Sequence, residues 1–364
     1  MNIFYFGYSL EESSGGIENY TFTVLKHLKK MGHNVIVYTI NGKNNNFENI
    51  CFKRNKYIDK FFLGNRIRAK LHKQCREVDI FLCGHLFLAN YMEVIVAKHI
   101  KKYHLFVYGI DCWAGRFQSR YSKLKNLNKI ISISSFTSEQ IRSQGFKGEI
   151  VYLPCVLDVD KFPNINIDRD TQKVNFITVG RLSSLEKYKG HDKVIEAINI
   201  LVNKLAIQNI EYHIVGKGDD RQRLELLTKK LRLEQYVKFY GFVSDEELPK
   251  VYAQSDVFIM PSAVSLDPAN PKGEGFGIVF IEASMYELPM IGPNDGGSTD
   301  FIDDKVNGLE CDPLSPFDIA DKMRFMVENR DLAKSFGKNA KEKTLKKFTL
   351  RQLDGYLKNL VTDV

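Results

Sequence analysis

Short hydrophobic runs recur along the whole chain, and amphipathic stretches separate them. The runs of the first half are NIFYFGYS, NVIVYTI, DIFLCGH, HLFVYGI, KIISISS and EIVYLPC. Those of the second half are NFITVGR, EYHIVGKG, VKFYGFV, DVFIMPS and PMIG. Nearly continuous apolar runs are typical of strands in a parallel sheet that helices cover on both faces. The pattern therefore predicts an α/β fold with two Rossmann-like parallel-sheet domains.

Helical periodicity and breaker residues set the expected boundaries. We expect helices over about 18–30, 138–145, 190–205, 219–231, 278–287 and 349–361. Residues 156–172 include Pro163 and have no clear period, which is typical of a linker. The predicted domains are 1–160 and 173–345, and the segment 346–364 is expected to pack back on the first domain. Ligands of such sheets bind at the carboxyl ends of strands, so we expect the site in a cleft between the domains.

Composition narrows the class of protein and its compartment. The hydrophobic fraction of 44% and the charged fraction of 26% are ordinary for a globular protein. The six cysteines form no C-x-x-C pair, which favours a reducing compartment. The first strand follows Met1 directly, without the apolar core of a leader sequence, so we expect a cytoplasmic protein.

Positive charge is concentrated in the first domain. Residues 1–160 carry 23 Lys/Arg against 13 Asp/Glu, whereas residues 161–364 carry 29 against 31. In the segment 52–76, basic side chains are interleaved with large apolar ones. Such a mixture on a helix favours contact with an anionic membrane surface, and the alternative is a solvated helix that packs by its apolar side. No zinc-finger or single-strand-binding signature accompanies the charge, so we expect no nucleic-acid partner.

Two glycines and several cations lie where strands give way to helices. Gly15 and Gly16 occupy the first strand-to-helix turn, where backbone either approaches a ligand closely or simply turns tightly. Arg181 ends the first strand of the second series, and Lys187 and Lys189 precede its helix. Cations at the carboxyl end of a strand would suit a diphosphate.

Two familiar nucleotide-binding motifs are incomplete or absent. Gly216-Lys217-Gly218 follows a strand and opens a helix, but the third glycine of a dinucleotide fingerprint is missing. No G-x-x-x-x-G-K-[ST] sequence occurs in the chain. The sequence therefore argues against NAD binding and against a P-loop.

Two carboxylates, Glu274 and Glu282, flank the start of an apolar helix in KGEGFGIVFIEAS. Gly275 and Gly277 leave backbone N–H groups and the positive end of the helix dipole open to an anion such as phosphate. Glu282 interrupts an apolar run, and burial of a carboxylate is costly unless hydrogen-bond donors meet it. Glu282 therefore either holds a polar ligand or reaches solvent from a capped core helix.

The full set of motifs resembles the retaining glycosyltransferases of the GT-B fold, of the family 4 (group 1) type. The elements are the glycine loop, VGRL…KYKGHD, HIVGKGDD, VKFYGFVSDEEL, YAQSDVFIMPS, EGFGIVFIEAS and GGSTDFI…NGLECDP. The two-glutamate element is the most specific of them, and the resemblance covers nearly the whole chain. It implies transfer of a hexose or N-acetylhexosamine from a UDP- or GDP-sugar to a cell-surface glycan or a lipid-linked oligosaccharide precursor. It also implies no cofactor and no divalent metal.

The resemblance implies catalytic roles for matching residues of the second domain. Arg181 and Lys189 would neutralise the diphosphate as it leaves, with Lys187 a lesser candidate. Glu274 would hold hydroxyls of the transferred sugar. The family mechanism is front-face attack, in which the departing phosphate helps to accept the proton of the acceptor, so no dedicated nucleophile is expected.

The resemblance implies donor-binding roles as well. Glu282 would hydrogen-bond the ribose hydroxyls, and Val243 would line the base pocket. The remaining expected donor-binding positions are Gly15, Gly16, Gly275, Phe276 and Gly277.

In the first domain the sequence departs from the family pattern. Many relatives carry a histidine where this chain has Tyr108, so the role of that histidine falls to Tyr108 or to His85. His85, at the end of DIFLCGH, either contacts donor or acceptor or is structural. Asp111 and Trp113 either touch the acceptor or pack their loop.

Two other functions share this architecture. A non-hydrolysing sugar-nucleotide epimerase would act on the donor without an acceptor, and an inactive GT-B subunit would only bind a partner. The complete two-glutamate element argues against the first. The presence of Arg181, Lys189, Glu274 and Glu282 argues against the second.

Overall fold

A computed structural model describes most of the chain, which folds as two compact units. The described residues are 1–10, 15–41, 46–51, 77–89, 100–121, 126–165 and 172–362, together with the single positions 65, 69, 91 and 124. The first unit is Met1–Val156 with Arg351–Val364, and the second is Leu157–Leu350. The basic segment 52–76 lies outside the described residues except for two single positions. Among the described residues, no helix is both long enough and apolar enough to span a membrane.

The described part of the first unit forms a parallel sheet of seven strands. They are β1 (Asn2–Gly7), β2 (Asn34–Thr39), β3 (Glu48–Cys51), β4 (Val78–Cys83), β5 (Ile100–Val107), β6 (Leu127–Ser132) and β7 (Glu149–Tyr152). Its helices include α1 (Gly16–Lys30), α2 (Gln118–Tyr121) and α3 (Ser135–Ser143). The strand order is β3-β2-β1-β4-β5-β6-β7, so the sheet grows outward in both directions from the β1/β4 pair.

The second unit repeats this plan with six strands. They are β8 (Val174–Val179), β9 (Ile210–Val215), β10 (Val237–Gly241), β11 (Val257–Ile259), β12 (Met290–Pro293) and β13 (Gly308–Cys311). Its helices are α4 (His191–Asn203), α5 (Arg221–Lys230), α6 (Leu248–Ala253), α7 (Ile278–Ser284), α8 (Pro316–Glu328) and α9 (Arg330–Lys347), and α10 (Leu350–Val361) follows. The order β10-β9-β8-β11-β12-β13 is that of a doubly wound Rossmann sheet.

The core of the second unit lies between its sheet and the helices that cover it. α4 buries Val194, Ile198 and Leu201 completely, at the spacing that one face of a helix requires. This face packs with α8, whose Met323 is also fully buried. Each such side chain contributes about 1.5–3 kcal/mol by leaving water. The core therefore fixes the strands, and through them the loops at their carboxyl ends.

Each sheet has one point at which the strand order reverses. In the first unit it lies between β1 and β4, and in the second between β8 and β11. Loops that leave adjacent strands there diverge to opposite faces of the sheet, so a crevice forms at the carboxyl edge. Arg181 lies just beyond β8, and in the first unit Tyr8 beyond β1 and His85 beyond β4 lie with their rings 5.7 Å apart.

The predicted fold class of two Rossmann-like parallel-sheet domains is confirmed, and the differences are local. Helix α7 ends at Ser284 rather than at 287, since Glu287 turns the chain with a φ of 57°. Part of the predicted linker belongs to the second unit, because the Leu157 N–H donates to the Phe348 carbonyl at 2.8 Å. The C-terminal helix α10 contributes to the first unit, where Asp354 Oδ1 lies 3.0 Å from His27 Nδ1.

Candidate active site

Two loops at the carboxyl edge of the second sheet, those after β8 and β9, are packed directly on each other. A Cβ atom on Gly216 would overlap the Gly180 carbonyl oxygen, and one on Gly218 would overlap that of Leu182. Leu182 N also donates to the Lys217 carbonyl at 3.0 Å. The two glycines of the incomplete dinucleotide motif thus serve contact between the loops after β8 and β9.

A short 3₁₀ segment, Ser184–Lys189, follows Arg181, and its end contacts the chain that leaves β11. Gly190 ends it with a φ of 80°, and a Cβ atom there would lie 2.5 Å from the Pro261 carbonyl oxygen. The Ala263 N–H donates to the Tyr188 carbonyl at 2.7 Å. The segment is therefore fixed against the chain that leaves β11.

This arrangement directs Lys189 inward over the end of β8. Its ammonium group lies 3.5 Å from the position of a Cβ atom on Gly180, and its side chain is only 11% exposed. Arg181 is 77% exposed, and its guanidinium donates to Glu186 Oε1. Lys189 Nζ lies 3.2 Å from Glu186 Oε2. Both cations predicted for a diphosphate are thus brought to one carboxylate.

Glu274 lies within the field of these charges. Burial raises the pKa of Glu274, Lys189 and Arg181 oppose that rise, and Glu186 adds to it. Burial also raises the pKa of Tyr188, with Glu274 the next cause. The site is therefore a cluster of opposite charges in a poorly hydrated place.

Several buried polar atoms near this cluster have no hydrogen-bond partner among the described residues. They are Glu186 Oε2, Glu274 Oε2, Ser262 Oγ beyond β11 and Ser298 Oγ beyond β12. Glu186 Oε2 is within ion-pair distance of Lys189 Nζ, but the contact lacks hydrogen-bond geometry. An unsatisfied buried polar group costs about 1–3 kcal/mol. A ligand rich in hydroxyl and phosphate oxygens would supply such partners.

The glycines before α7 bring backbone to the same place. The Gly297 N–H donates to the Glu274 carbonyl at 3.1 Å, which ties the loop after β12 to this turn. Gly277 is the N-cap residue of α7. Phe276 is buried, with its ring 4.7 Å from that of Phe301, so only its backbone is available to a ligand.

Glu282 is held by a tyrosine from another helix. The Tyr252 hydroxyl of α6 donates to Glu282 Oε2 at 3.2 Å. The Tyr252 ring stacks on that of Tyr286 at 5.6 Å, which fixes its position. Burial raises the pKa of Glu282 to about 7, although the Tyr252 hydrogen bond opposes the rise, and Asp245 adds to it. Glu282 is therefore neither a solvated side chain nor a fully satisfied one.

Two further predicted positions of the second unit lie in loops. Val243 is half-buried just after β10, beside an exposed Phe242 whose ring has Lys217 Nζ at 4.8 Å. Lys187, the lesser candidate for the diphosphate, lies 4.0 Å from Asp220 instead of joining Glu186.

In the first unit, Gly15 and Gly16 begin α1. Gly15 is the N-cap residue, and a Cβ atom on it would meet only the Glu18 carboxylate. A Cβ atom on Gly16 would meet nothing within 4 Å. The backbone of Gly16 is thus open to close approach.

His85 follows β4 as a neutral ring. Burial, and next the charge of Arg120, lower the pKa of His85 to about 4. Its Nδ1 accepts from the Phe87 N–H at 3.1 Å, so the proton of the neutral ring resides on Nε2. The ring stacks on Tyr108 with centroids 5.9 Å apart. His85 can therefore donate a hydrogen bond from Nε2 at neutral pH.

The other three predicted residues of the first unit face inward. The Tyr108 hydroxyl lies 3.1 Å from Thr21 Oγ1, and its N–H donates to Asp111 Oδ1 at 3.0 Å. Burial raises the pKa of Asp111 to about 7, and its Oδ2 has no partner among the described residues. Trp113 is fully buried and donates from Nε1 to Thr137 Oγ1 at 3.2 Å. This placement of Trp113 corresponds to the loop-packing alternative.

The structure thus groups the candidates by unit. Arg181, Lys189 and Glu274 come together in the second unit, whereas His85 and Tyr108 come together in the first. Sequence reasoning did not anticipate Glu186, Tyr188, Tyr252, Ser262 and Ser298. A carboxylate between two cations in one loop could have indicated Glu186, but nothing in the sequence joins Tyr252 to Glu282.

Comparisons with known proteins identify the family of the chain. The model of the family "Glycosyl transferases group 1" matches residues 164–343, and that of "Glycosyltransferase Family 4" matches residues 14–161. A GDP-mannose-dependent alpha-(1-6)-phosphatidylinositol monomannoside mannosyltransferase of Mycobacterium tuberculosis is 31% identical over 216 residues. That alignment spans 58% of this chain and 55% of the relative, about half of its length.

Solved structures share the whole architecture. A glycosyltransferase from Rickettsia africae superposes with a TM-score of 0.79 at 20% identity, covering 100% of this chain and 99% of the other. HepE of Anabaena in complex with UDP and glucose does so with a TM-score of 0.74 at 16% identity, covering 100% of each chain. These similarities show the GT-B fold. The two family models, which jointly span most of the chain, show that this protein belongs to the family 4 (group 1) glycosyltransferases.

Proposed function

We propose that this protein is a retaining glycosyltransferase. It would move a hexose or N-acetylhexosamine from a UDP- or GDP-sugar to a cell-surface glycan or a lipid-linked oligosaccharide precursor. The observation that carries the proposal is the convergence of Arg181 and Lys189 beside Glu274, whose Oε2 has no partner among the described residues. Two cations and an unsatisfied carboxylate suit the diphosphate and the hydroxyls of a sugar nucleotide.

The charges match the change that occurs in the reaction. Cleavage of the bond between C1 and the phosphate oxygen leaves negative charge on the diphosphate and positive charge on the sugar ring. Fixed cations that already face this position need no reorganisation as the charge develops. In this proposal Arg181 and Lys189 stabilise the leaving group without a divalent metal, and Glu274 orients the sugar.

The remaining donor contacts follow from the second unit. Glu282, held by the Tyr252 hydroxyl, would accept hydrogen bonds from the ribose. The backbone near Val243 would meet the base. GDP-mannose in the name of the mycobacterial relative and UDP in the HepE complex support a sugar nucleotide, and both bases belong in the test.

The anomeric configuration would be retained because the acceptor attacks C1 on the same face that the leaving group departs from. The acceptor oxygen forms the new bond to C1 as the bond to the phosphate oxygen breaks. The proton of the acceptor passes to the departing phosphate, so no enzyme nucleophile is required. His85, a neutral donor through Nε2, would contact donor or acceptor from the first unit.

A cytoplasmic location and contact of residues 52–76 with an anionic membrane belong to the same proposal. The interleaved basic and apolar residues of this segment support it. Flotation with anionic and with neutral vesicles tests this contact. Failure to bind either kind of vesicle at low salt would contradict it.

The decisive experiment measures release of UDP or GDP from a panel of sugar nucleotides, with EDTA present, in wild type and Arg181→Ala. We expect one donor to be used by the wild type and turnover to fall at least ~100-fold in the variant, as for loss of one stabilising group in other enzymes. Arg324→Ala is the matched control, because Arg324 pairs with Asp321 elsewhere on the surface. Equal rates in wild type and Arg181→Ala would refute the assignment. Conversion of a sugar nucleotide into its epimer, without net release of UDP or GDP, would indicate an epimerase.

A further inference from the structure

The carboxylate of Glu186 occupies the place between the two cations of the candidate site. One of its oxygens accepts from the Arg181 guanidinium, and the other lies 3.2 Å from Lys189 Nζ. Its side chain is only 15% exposed. Only the first of these contacts has hydrogen-bond geometry, so the second oxygen is paired by charge alone. A carboxylate that faces two cations in this way has the charge of a phosphoryl group and takes the place of one.

The chain holds Glu186 there through its own backbone. Glu186 departs from helical geometry inside the 3₁₀ segment, with φ −111° and ψ 27°. Before it, the Ser184 N–H donates to Asp219 Oδ1 at 2.8 Å, and after it Gly190 closes the turn. The segment is thus fixed at both ends, with Glu186 at the kink between them.

A second anion in this place would compete with Glu186. A diphosphate that takes the same two cations must displace the carboxylate or lie against it, and like charges at such distances repel. Rotation of the Glu186 side chain toward solvent removes the conflict without moving Arg181 or Lys189.

We propose that Glu186 is an exchangeable counter-ion, which neutralises Arg181 and Lys189 in the empty site and yields them to the diphosphate of the ligand. The inference rests on the proposed function for the identity of that ligand. Glu186 then lowers the affinity for nucleoside diphosphate and speeds its release after transfer. It also keeps the two cations from binding other cellular anions between turnovers.

Glu186→Gln tests this idea, because it removes the charge and preserves the shape. The probes are inorganic pyrophosphate, UDP and GDP, with dissociation constants measured by calorimetry. We expect the dissociation constants of Glu186→Gln for pyrophosphate and for at least one nucleotide to be ~3–10-fold lower than those of wild type. The control Glu342→Gln removes a carboxylate paired with Lys346 on the surface of α9 and should leave all three constants unchanged.

The outcomes separate this inference from the proposed function. Equal or weaker binding of pyrophosphate by Glu186→Gln, with a native circular dichroism spectrum, overturns the counter-ion even if the wild type transfers sugar. Such a result would make Glu186 a fixed positioning residue for Lys189. Tighter pyrophosphate binding without turnover of any sugar nucleotide supports the counter-ion and refutes the transferase. Glu186→Ala should shift the constants in the same direction, which guards against a defect specific to the glutamine.

Discussion

The two units share one strand order but differ in the chemistry at the reversal point of their sheets. In the second unit, charged side chains converge there, with Arg181 and Lys189 around Glu186. In the first unit, uncharged rings meet instead, since His85 is neutral and stacks on Tyr108. The sheet therefore determines where a site forms, and the residues that follow each strand determine what it can bind.

This difference indicates that the two units are suited to binding different chemical groups. A cluster of paired charges suits a ligand that carries charge, and its strength grows where water is excluded. Rings and neutral donors suit sugars, whose hydroxyls need hydrogen bonds and whose faces are apolar. Under the proposed function, the second unit would bind the diphosphate and, through Glu274, the transferred sugar, whereas His85 of the first unit would contact donor or acceptor. Variants of Lys189, His85 and Glu282 test this difference between the units.

The largest effect should come from Lys189→Met. The change leaves Glu186 and Glu274 without the buried ammonium between them, so nucleotide binding and turnover should fall at least ~100-fold. Lys343→Met is a control of nearly equal burial, since the two side chains are 11% and 12% exposed and each pairs with a carboxylate. Thermal unfolding and turnover should be measured for both.

Comparable loss of turnover in Lys343→Met would show that general stability, not diphosphate binding, explains the result. Comparable stability with turnover lost only in Lys189→Met would localise the charge requirement to the second unit.

A smaller effect is expected from His85→Phe. The variant keeps the stacking on Tyr108 and removes the Nε2 donor, so turnover should fall roughly 10-fold, as for loss of a hydrogen bond to substrate. The dissociation constant of UDP or GDP should remain as in wild type. A parallel loss of nucleotide affinity would contradict the proposed division between the units.

The smallest effect is a dependence on pH through Glu282. Its pKa of about 7 lies above the ordinary 4.5, so the folded protein holds this proton more tightly than the unfolded chain. Stability from this group is therefore lost as pH rises from about 4.5 to about 7. The Tm of Glu282→Gln minus the Tm of wild type should therefore be larger at pH 8 than at pH 5.

The same proton should affect nucleotide binding. The ionised carboxylate is a better acceptor of hydrogen bonds from the ribose hydroxyls. The affinity of wild type for the nucleotide should therefore rise a few-fold between pH 6 and pH 8. Glu282→Gln lacks this contribution, and the phosphate ionisation common to both proteins cancels in the comparison. Identical pH profiles would exclude contact between Glu282 and the ribose.

Much of the fold could be predicted because buried parallel strands leave a clear apolar signal. The helices α6, α8 and α9 were not predicted; α9, for example, carries six lysines among its 18 residues, and its apolar period is weak. The edge strands β3 (ENIC) and β13 (GLEC) were also missed, because each mixes polar with apolar residues and lacks the apolar run of the predicted strands. Tertiary contacts, rather than local sequence, establish these elements.

Part of the candidate site could be predicted for a different reason. Arg181, Lys189 and Glu274 have types and places that indicate anion and sugar chemistry, and the structure groups them. Sequence alone leaves the direction of a side chain open, so it did not distinguish a Trp113 in the core from one at the surface. The bond between Tyr252 and Glu282 joins residues 30 positions apart, which no local pattern encodes.

The pairing of Leu157 with the end of the second unit has a topological consequence. Leu157 donates to Phe348, and the Leu350 N–H donates back to Leu157 at 2.9 Å, so entry and exit of this unit are hydrogen-bonded to each other. The unit is thus an uninterrupted insertion in the chain of the first, whose own sequence is split into two pieces. An exchange of residues 157–350 for the equivalent stretch of a relative would need only two junctions, both at adjacent backbone. Under the proposed function, such an exchange would transfer the donor preference of the relative, while residues 1–156 and 351–364 stay unchanged.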